Sequence, residues 1–210
     1  MPLYKSIAFS ENTHILIWHI TETVEELAHK LQLNDNSTKR LLGMKAVSHQ
    51  KGFLSVRKLL QIAGYSDFDL YYDPSGKPNL TDGKHISISH SHEFATIVIG
   101  TTVGGIDIEK HKEKTILIAD KFVTESENLF LNKQDKWDYV KQITVIWGAK
   151  EAVFKICNEP GISFKEHVYV NPFDSSVSQT TACLEFKDSK TVYNIYYEDF
   201  EGFSLVYAYS

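Results

Sequence analysis

The chain has 210 residues with 42% hydrophobic and 12% aromatic content, enough for one sizeable core or two small ones and unlike a disordered composition. Its 22 Lys and Arg against 27 Asp and Glu leave a formal net charge of -5, which argues against a nucleic-acid footprint and obliges any anionic partner to meet a local patch. No apolar stretch reaches bilayer length, the segment MPLYKSIAFSENTH lacks the apolar core of an export signal, and only Cys157 and Cys183 are present. The expectation is a cytoplasmic protein that spans no membrane, with two buried, reduced thiols.

In chain order, HILIWHI at 14–20 alternates as a half-buried strand does, and Thr23 with Glu26 supplies a capping box for a helix running to Leu31. A helical pattern follows over 37–63, carried by Phe53, Val56, Leu59, Leu60 and Ile62 and stopped by Gly64. FDLYYD reads as a strand. Pro74, Gly76 and Pro78 punctuate a turn, and ISIS, FATIVIG and VGGIDIE read as three short strands. Past Lys114 come two short helical segments, ILIADKF and one started by Thr124 or Ser126, then a long helix from about Asp135 to Cys157. Strand-like runs around Val168, ACLEF, TVYNIYY and FSLVYAY finish the chain. The second half thus repeats the first in outline, helices and an antiparallel meander, and the class is α+β. With no Gly, Ser or Pro-rich linker between them, the halves 1–103 and 104–210 are expected to pack closely, with the site in a cleft and the single chain as the working unit.

Three constellations carry chemistry. In GGIDIEK, alternation sends Asp107 and Glu109 to one face and Ile106 and Ile108 to the other, into the core, while Gly104 and Gly105 permit close approach of a backbone or a ligand. Paired carboxylates on an otherwise apolar strand are hard oxygen donors. They suit Mg²⁺, which completes its shell with water and substrate phosphates, although a solvated strand face is the plainer alternative. On the long helix, WGAKEAVFK places Trp147, Glu151 and Lys155 four apart. A Glu and Lys at that spacing often decorate a solvated surface, but Trp147 on the same stripe points to a cleft in which Glu151 joins the carboxylates and Lys155 meets phosphate. In ISISHSHE, alternation separates Ser87, Ser89 and Ser91 from Ile86, Ile88 and His90 and is expected to break down at its end. A serine and histidine beside a turn can bind phosphate or serve nucleophilic catalysis, yet no GxSxG elbow surrounds Ser89. The nine histidines fit no zinc spacing.

Taken in order, GKP at 76–78, ISISHS, GGIDIE, FVTESE and WGAKEAVFK resemble the motif series of the surfactin-type 4′-phosphopantetheinyl transferases, with GIDIE and WGAKEA about forty residues apart. The resemblance implies a pseudo-twofold pair of α+β halves and transfer of the phosphopantetheine arm of coenzyme A to a serine of an acyl or peptidyl carrier protein, with Mg²⁺ on the pyrophosphate. Asp107, Glu109 and Glu151 look like the metal carboxylates and Lys155 like a pyrophosphate contact. Ser89, His90 and Lys77 resemble the residues that hold the 3′-phosphoadenosine end, and Glu127 matches an acidic position implicated in catalysis. The base that takes the serine proton is open among Glu127, Glu151 and a water on the metal. In SHQKGFLSVR, Arg57 aligns with the family and by that resemblance joins the coenzyme-binding residues, but Ser48 and His49 stand where an arginine is common, which leaves Lys51 or His49 to replace it. The rival reading is a non-catalytic protein of the same fold that binds coenzyme A or carriers.

Overall fold

The computed structural model describes residues 3–174 and 177–210 and divides into two units, Met1–Thr102 and Val103–Ser210. In the first, alternating apolar side chains build an antiparallel sheet from β1 (Leu3–Ser10), β2 (Thr13–His19), β3 (Leu70–Tyr72), β4 (Pro78–Leu80), β5 (His85–Ser91) and β6 (Phe94–Gly100), in the order β1-β2-β6-β5-β4-β3. Helix α3 (Val47–Ile62) lays Phe53, Val56, Leu59 and Leu60 on Leu16, Ile86, Ile97 and Ile99 of that sheet. Burial of these side chains supplies most of the drive for the unit.

The helical pattern expected over 37–63 is two helices, α2 (Asp35–Gly43) and α3. Met44 and Ala46 are extended at the corner, where Gln50 donates its side-chain amide to the Met44 carbonyl at 2.9 Å. The capping box of Thr23 and Glu26 is formed, but α1 (Val24–Ala28) ends before Leu31 because Lys30 takes a positive φ of 61°. Alternation in β5 holds through Ser91, so His90 stays on the face of Ile86 and Ile88, over α3. β1 escapes sequence reading because none of its residues is fully buried, so its apolar alternation is faint.

In the second unit β7 (Gly104–Lys110), β8 (Val168–Val170), β9 (Gln179–Phe186), β10 (Ser189–Phe200) and β11 (Phe203–Tyr209) form an antiparallel sheet in the order β7-β11-β10-β9-β8. A 3-10 helix (Glu113–Lys121), α4 (Glu125–Asn128), α5 (Lys136–Cys157) and α6 (Phe164–His167) accompany it. Asp135 caps α5 by accepting from the amides of Trp137 and Asp138, and Asn158 closes it in the left-handed region at φ 51°. Ile143, Ile146, Ala149, Ala152 and Val153 of α5 pack with Val168, Ile195, Val206 and Ala208 of the sheet. Each unit is therefore helices on an antiparallel sheet, the α+β class expected. Among the described residues no helix is long and apolar enough to cross a membrane. Cys157 and Cys183 form no disulfide and are half-buried, not buried; Cys157 Sγ lies 3.1 Å from Tyr193 Oη.

Candidate functional site

Strand β7 and helix α5 build the centre of the second unit. A Cβ on Gly105 would stand 1.9 Å from the carbonyl oxygen of Ala152, and one on Gly148 would stand 2.7 Å from Val206 and 3.8 Å from Asp107 Oδ2. Gly105 lets β7 meet the backbone of α5, and Gly148 makes room for the Val206 side chain of β11. By alternation this puts Asp107 and Glu109, with Gly105, on the α5 side of the sheet. Ile106 and Ile108 are fully buried on its other face. The expectation that only the isoleucines face a core is thus corrected: both faces are covered, and Asp107 is itself buried at 4% exposure.

Lys155 completes this arrangement. From the last turn of α5 its ammonium donates to Asp107 Oδ1 at 2.8 Å and to the Ile106 carbonyl at 2.8 Å. Glu151, one turn earlier and half-buried, has its carboxyl pushed up to about 7 by burial and then by the charge of Asp107; Lys155 opposes this and Glu109 adds to it. The structure thus brings Asp107, Glu109, Glu151 and Lys155 into electrostatic reach of one another.

The donor chemistry of three carboxylates fits Mg²⁺, but no group of three His, Cys, Asp or Glu among the described residues is already arranged as a metal cage. Mg²⁺ takes one or two protein carboxylates and fills the rest of its shell with water and phosphate, so a converged protein cage is not required of such a site.

Trp147 sits at the boundary of this centre. Its ring meets Phe122 edge-on at 5.0 Å and Phe164 at 5.4 Å, and it also lines a hollow of about 290 Å³ shared with Glu109, Lys110, Lys112, Lys114 and Ile118. At the far end of β7, His111 donates to Ser204 Oγ at 2.8 Å and Ser204 donates to Asp199 Oδ1 at 2.6 Å. Ser204 pairs directly across from Glu109, so this network buttresses the carboxylate strand. Burial works against the Asp199 carboxylate, but hydrogen bonds from His111 and Ser204 hold it below its ordinary value.

Glu127 is placed apart from these groups' exposed side. It is 1% exposed and closes the α4 capping box by accepting from the Thr124 amide at 2.7 Å. It also accepts from the Val170 amide at 2.8 Å and from Lys150 at 2.9 Å. Lys150, wholly buried, further donates to the carbonyls of Phe122 at 2.6 Å and Phe164 at 3.0 Å. Burial lowers its proton affinity while Glu127 raises it. Sequence reading missed Lys150 as a partner because a lysine inside a helical motif carries no sign of what it will meet.

In the first unit Arg57, expected among the coenzyme-binding residues, is engaged by protein groups. Its guanidinium is 3% exposed, donates to Asp67 Oδ1 at 2.9 Å and to Ser37 Oγ and the Phe53 carbonyl at 3.3 Å, and stacks 3.5 Å from the Phe53 ring centre. With those partners it is a structural pair. Lys51, Lys77 and Ser89 are half-buried and His90 is exposed. A Cβ on Gly52 would stand 2.8 Å from the His90 ring, so the end of β5 lies against the first turns of α3, next to Lys51.

A carboxylate set on a strand thus faces a lysine and a carboxyl of raised proton affinity on a helix, all within one α+β unit. A sequence profile of the 4′-phosphopantetheinyl transferase superfamily matches residues 104–208, the unit that carries this centre. The chain belongs to that superfamily. It is 29% identical over 156 residues to the 4′-phosphopantetheinyl transferase gsp of Aneurinibacillus migulanus, covering 72% of this chain and 64% of that protein. It is 32% identical over 92 residues to the 4′-phosphopantetheinyl transferase Sfp of Bacillus subtilis (strain 168), covering 43% of this chain and 41% of that one. The matched regions therefore span less than two thirds of either relative.

Proposed function

We infer that the protein transfers the 4′-phosphopantetheine arm of coenzyme A to a serine of an acyl or peptidyl carrier protein, releasing 3′,5′-ADP. The observation that carries this reading is the grouping of Asp107, Glu109, Glu151 and Lys155 across β7 and α5, with Glu151 pushed up to about 7. In the reaction the serine hydroxyl oxygen bonds to the β-phosphorus of coenzyme A, the bond from that phosphorus to 3′,5′-ADP breaks, and the hydroxyl proton goes to a base.

Lys155 orients a pyrophosphate oxygen and offsets its charge, leaving Asp107 for it as substrate enters. Asp107, Glu109 and Glu151 are the oxygen donors that would hold Mg²⁺, which when bound supplies charge neutralisation on the transferring phosphate. With no cation on its oxygens Glu151 has the proton affinity to accept the serine proton, whereas as a metal ligand it loses that affinity and the proton passes to solvent. The Glu127 oxygens are already engaged and shut from solvent, which favours a supporting role for Glu127 over that of base. Lys77, Ser89, His90 and Lys51 receive the 3′-phosphoadenosine end. Lys110, Lys112 and Lys114, which line the hollow with Glu109, and Lys121 at the end of the 3-10 helix receive an acidic carrier. We place the working form as a single chain in the cytoplasm, with no nucleic-acid partner.

Intact-mass spectrometry of an apo carrier protein incubated with this protein, coenzyme A and Mg²⁺ tests the reading. One added phosphopantetheine, lost with Glu151→Ala and with chelator, is the expected result. No addition to fatty-acid or peptidyl carriers, with coenzyme A still bound, would favour a non-catalytic binding protein.

A further inference from the structure

Glu109 shares the α5 face of the second sheet with a buried hydroxyl. Ser204 pairs in register with Glu109 on one side and with Asp199 on the other, so the three side chains stand in one row across β7, β11 and β10. His111 extends the ladder one residue beyond β7, its amide donating to the Gly202 carbonyl at 2.8 Å, and its Nε2 lies 2.8 Å from Ser204 Oγ. Ser204 is 1% exposed, so its hydroxyl has to be satisfied by protein groups.

A hydroxyl has one proton, and two carboxylates flank this one. The proton goes to Asp199 Oδ1 at 2.6 Å, while His111 donates to the hydroxyl oxygen. Ser204 therefore has no donor to offer Glu109. A hydrogen bond from Ser204 would draw the Glu109 carboxylate along the row toward β11; without it, Glu109 keeps to the side where its charge reaches Glu151. Asp199 stands two strands from β7, about 10 Å at ordinary strand spacing, and so acts on Glu109 through the hydroxyl between them.

We propose that Asp199 is a positioning residue for the cation site: by claiming the Ser204 proton it keeps the Glu109 carboxylate turned toward α5 and open to Mg²⁺. His111 acts with it by occupying the hydroxyl oxygen. The proposal rests on the transferase reading and on the Mg²⁺ site that reading assigns to Asp107, Glu109 and Glu151.

The test is calorimetric titration of Mg²⁺ into the protein saturated with coenzyme A, for the wild type, Asp199→Asn, Ser204→Ala and the double variant. Asp199→Asn keeps the shape and makes the acceptor neutral, so the hydroxyl proton turns to Glu109, the remaining carboxylate. Mg²⁺ should then bind about three- to tenfold more weakly, the range of one hydrogen bond. Ser204→Ala should leave the affinity within about twofold, and adding it to Asp199→Asn should restore the wild-type value, because no hydroxyl remains to compete for Glu109. A double variant as weak as Asp199→Asn would show that Asp199 acts by its charge through space, and one weaker still would show that the network only packs the strands. Either result overturns the proposal, as does an unchanged affinity in Asp199→Asn, and all three leave the transferase reading standing. A wild-type protein that binds no coenzyme A, or binds it without Mg²⁺, overturns that reading and this proposal with it. The Asp199 side chain is 37% exposed and Asn is its isostere, so the variant should keep its fold, which thermal melts without Mg²⁺ check.

Discussion

Glu151 is the residue at which electrostatics and stability are most directly linked. Its carboxyl rises from an ordinary value of 4.5 to about 7 in the folded protein, chiefly through burial and then Asp107. A group raised in this way supports folding below about pH 4.5 and loses that support as the pH climbs through 7. At pH 8 the folded protein holds a half-buried anion beside another carboxylate, at a cost on the order of 2 kcal/mol after allowance for solvent screening. Glu151→Gln removes the charge and keeps the shape. Without divalent ions it should raise the melting temperature at pH 8 by roughly 4–8 °C and leave it unchanged near pH 4. Mg²⁺ should raise the wild-type melt more than that of the variant, which keeps Asp107 and Glu109 but loses the third carboxylate. Melting curves at the two pH values, each with and without Mg²⁺, decide this. Equal melts for the two proteins at pH 8 would remove the electrostatic strain assigned to this site.

Arg57 and Asp67 show the opposite use of charge at the same scale. The pair is buried on both sides, at 3% and 1% side-chain exposure, so removing one partner leaves the other charged and dry. Arg57→Ala should therefore destabilise the protein by about 3–5 kcal/mol in urea unfolding. The folded fraction should bind coenzyme A as before, since Arg57 does not reach solvent. A selective loss of coenzyme A affinity with stability intact would return Arg57 to the binding role that its sequence position suggests.

At the scale of elements, the junction of β7 with α5 depends on the side chain that Gly105 lacks. Gly105→Ala would drive a methyl group to 1.9 Å from the Ala152 carbonyl, a distance that only displacement of the helix can relieve. Overpacking of this kind costs about 1–3 kcal/mol, and more where backbone must move. The same displacement carries Glu151 and Lys155 away from Asp107. Both stability and transfer should fall, with the loss in kcat exceeding the change in KM for coenzyme A. Steady-state kinetics on the variant, run well below its melting temperature, separates the two effects, and unaltered kcat would mean that the catalytic pairing tolerates the shift.

This junction also shows what was legible beforehand. The period-2 pattern of GGIDIEK and the spacing of Glu151 and Lys155 placed the charged residues on a strand and a helix, and Gly104 with Gly105 marked a close approach. What the pattern could not give was the identity of the approaching backbone, since Ala152 is 47 positions from Gly105. Nor could it show that Lys150 and Lys155, five apart on α5, serve different partners: one closes on Glu127 out of solvent and the other on Asp107 beside it. The break between α2 and α3 was hidden for a related reason. The apolar repeat runs on through Leu41 and Met44, while the corner is made by a hydrogen bond from the Gln50 side chain to the Met44 carbonyl that no periodicity encodes.

For the whole molecule, a net charge of -5 has to be reconciled with the anionic partners proposed for it. The hollow beside Glu109 offers a resolution within the second unit, since Lys110, Lys112 and Lys114 line it together with Ile118 and Trp147. Lys112 and Lys114 stand at the entry to the 3-10 helix, which leaves Leu117 exposed at 83% and Ile118 at 44%. Basic groups that flank exposed apolar side chains suit an acidic protein surface with an apolar centre better than they suit a small nucleotide, which would have no use for Leu117. Reversing the charge of Lys112 and Lys114 together should therefore raise KM for the carrier about tenfold or more, most strongly at low salt, and leave KM for coenzyme A within about twofold. The salt dependence of the carrier KM should flatten in the variant, because the long-range part of the attraction is the part that salt screens. An equal rise in both KM values would mean that these lysines serve the nucleotide instead, and the acidic carrier would then have to dock on another surface of the chain.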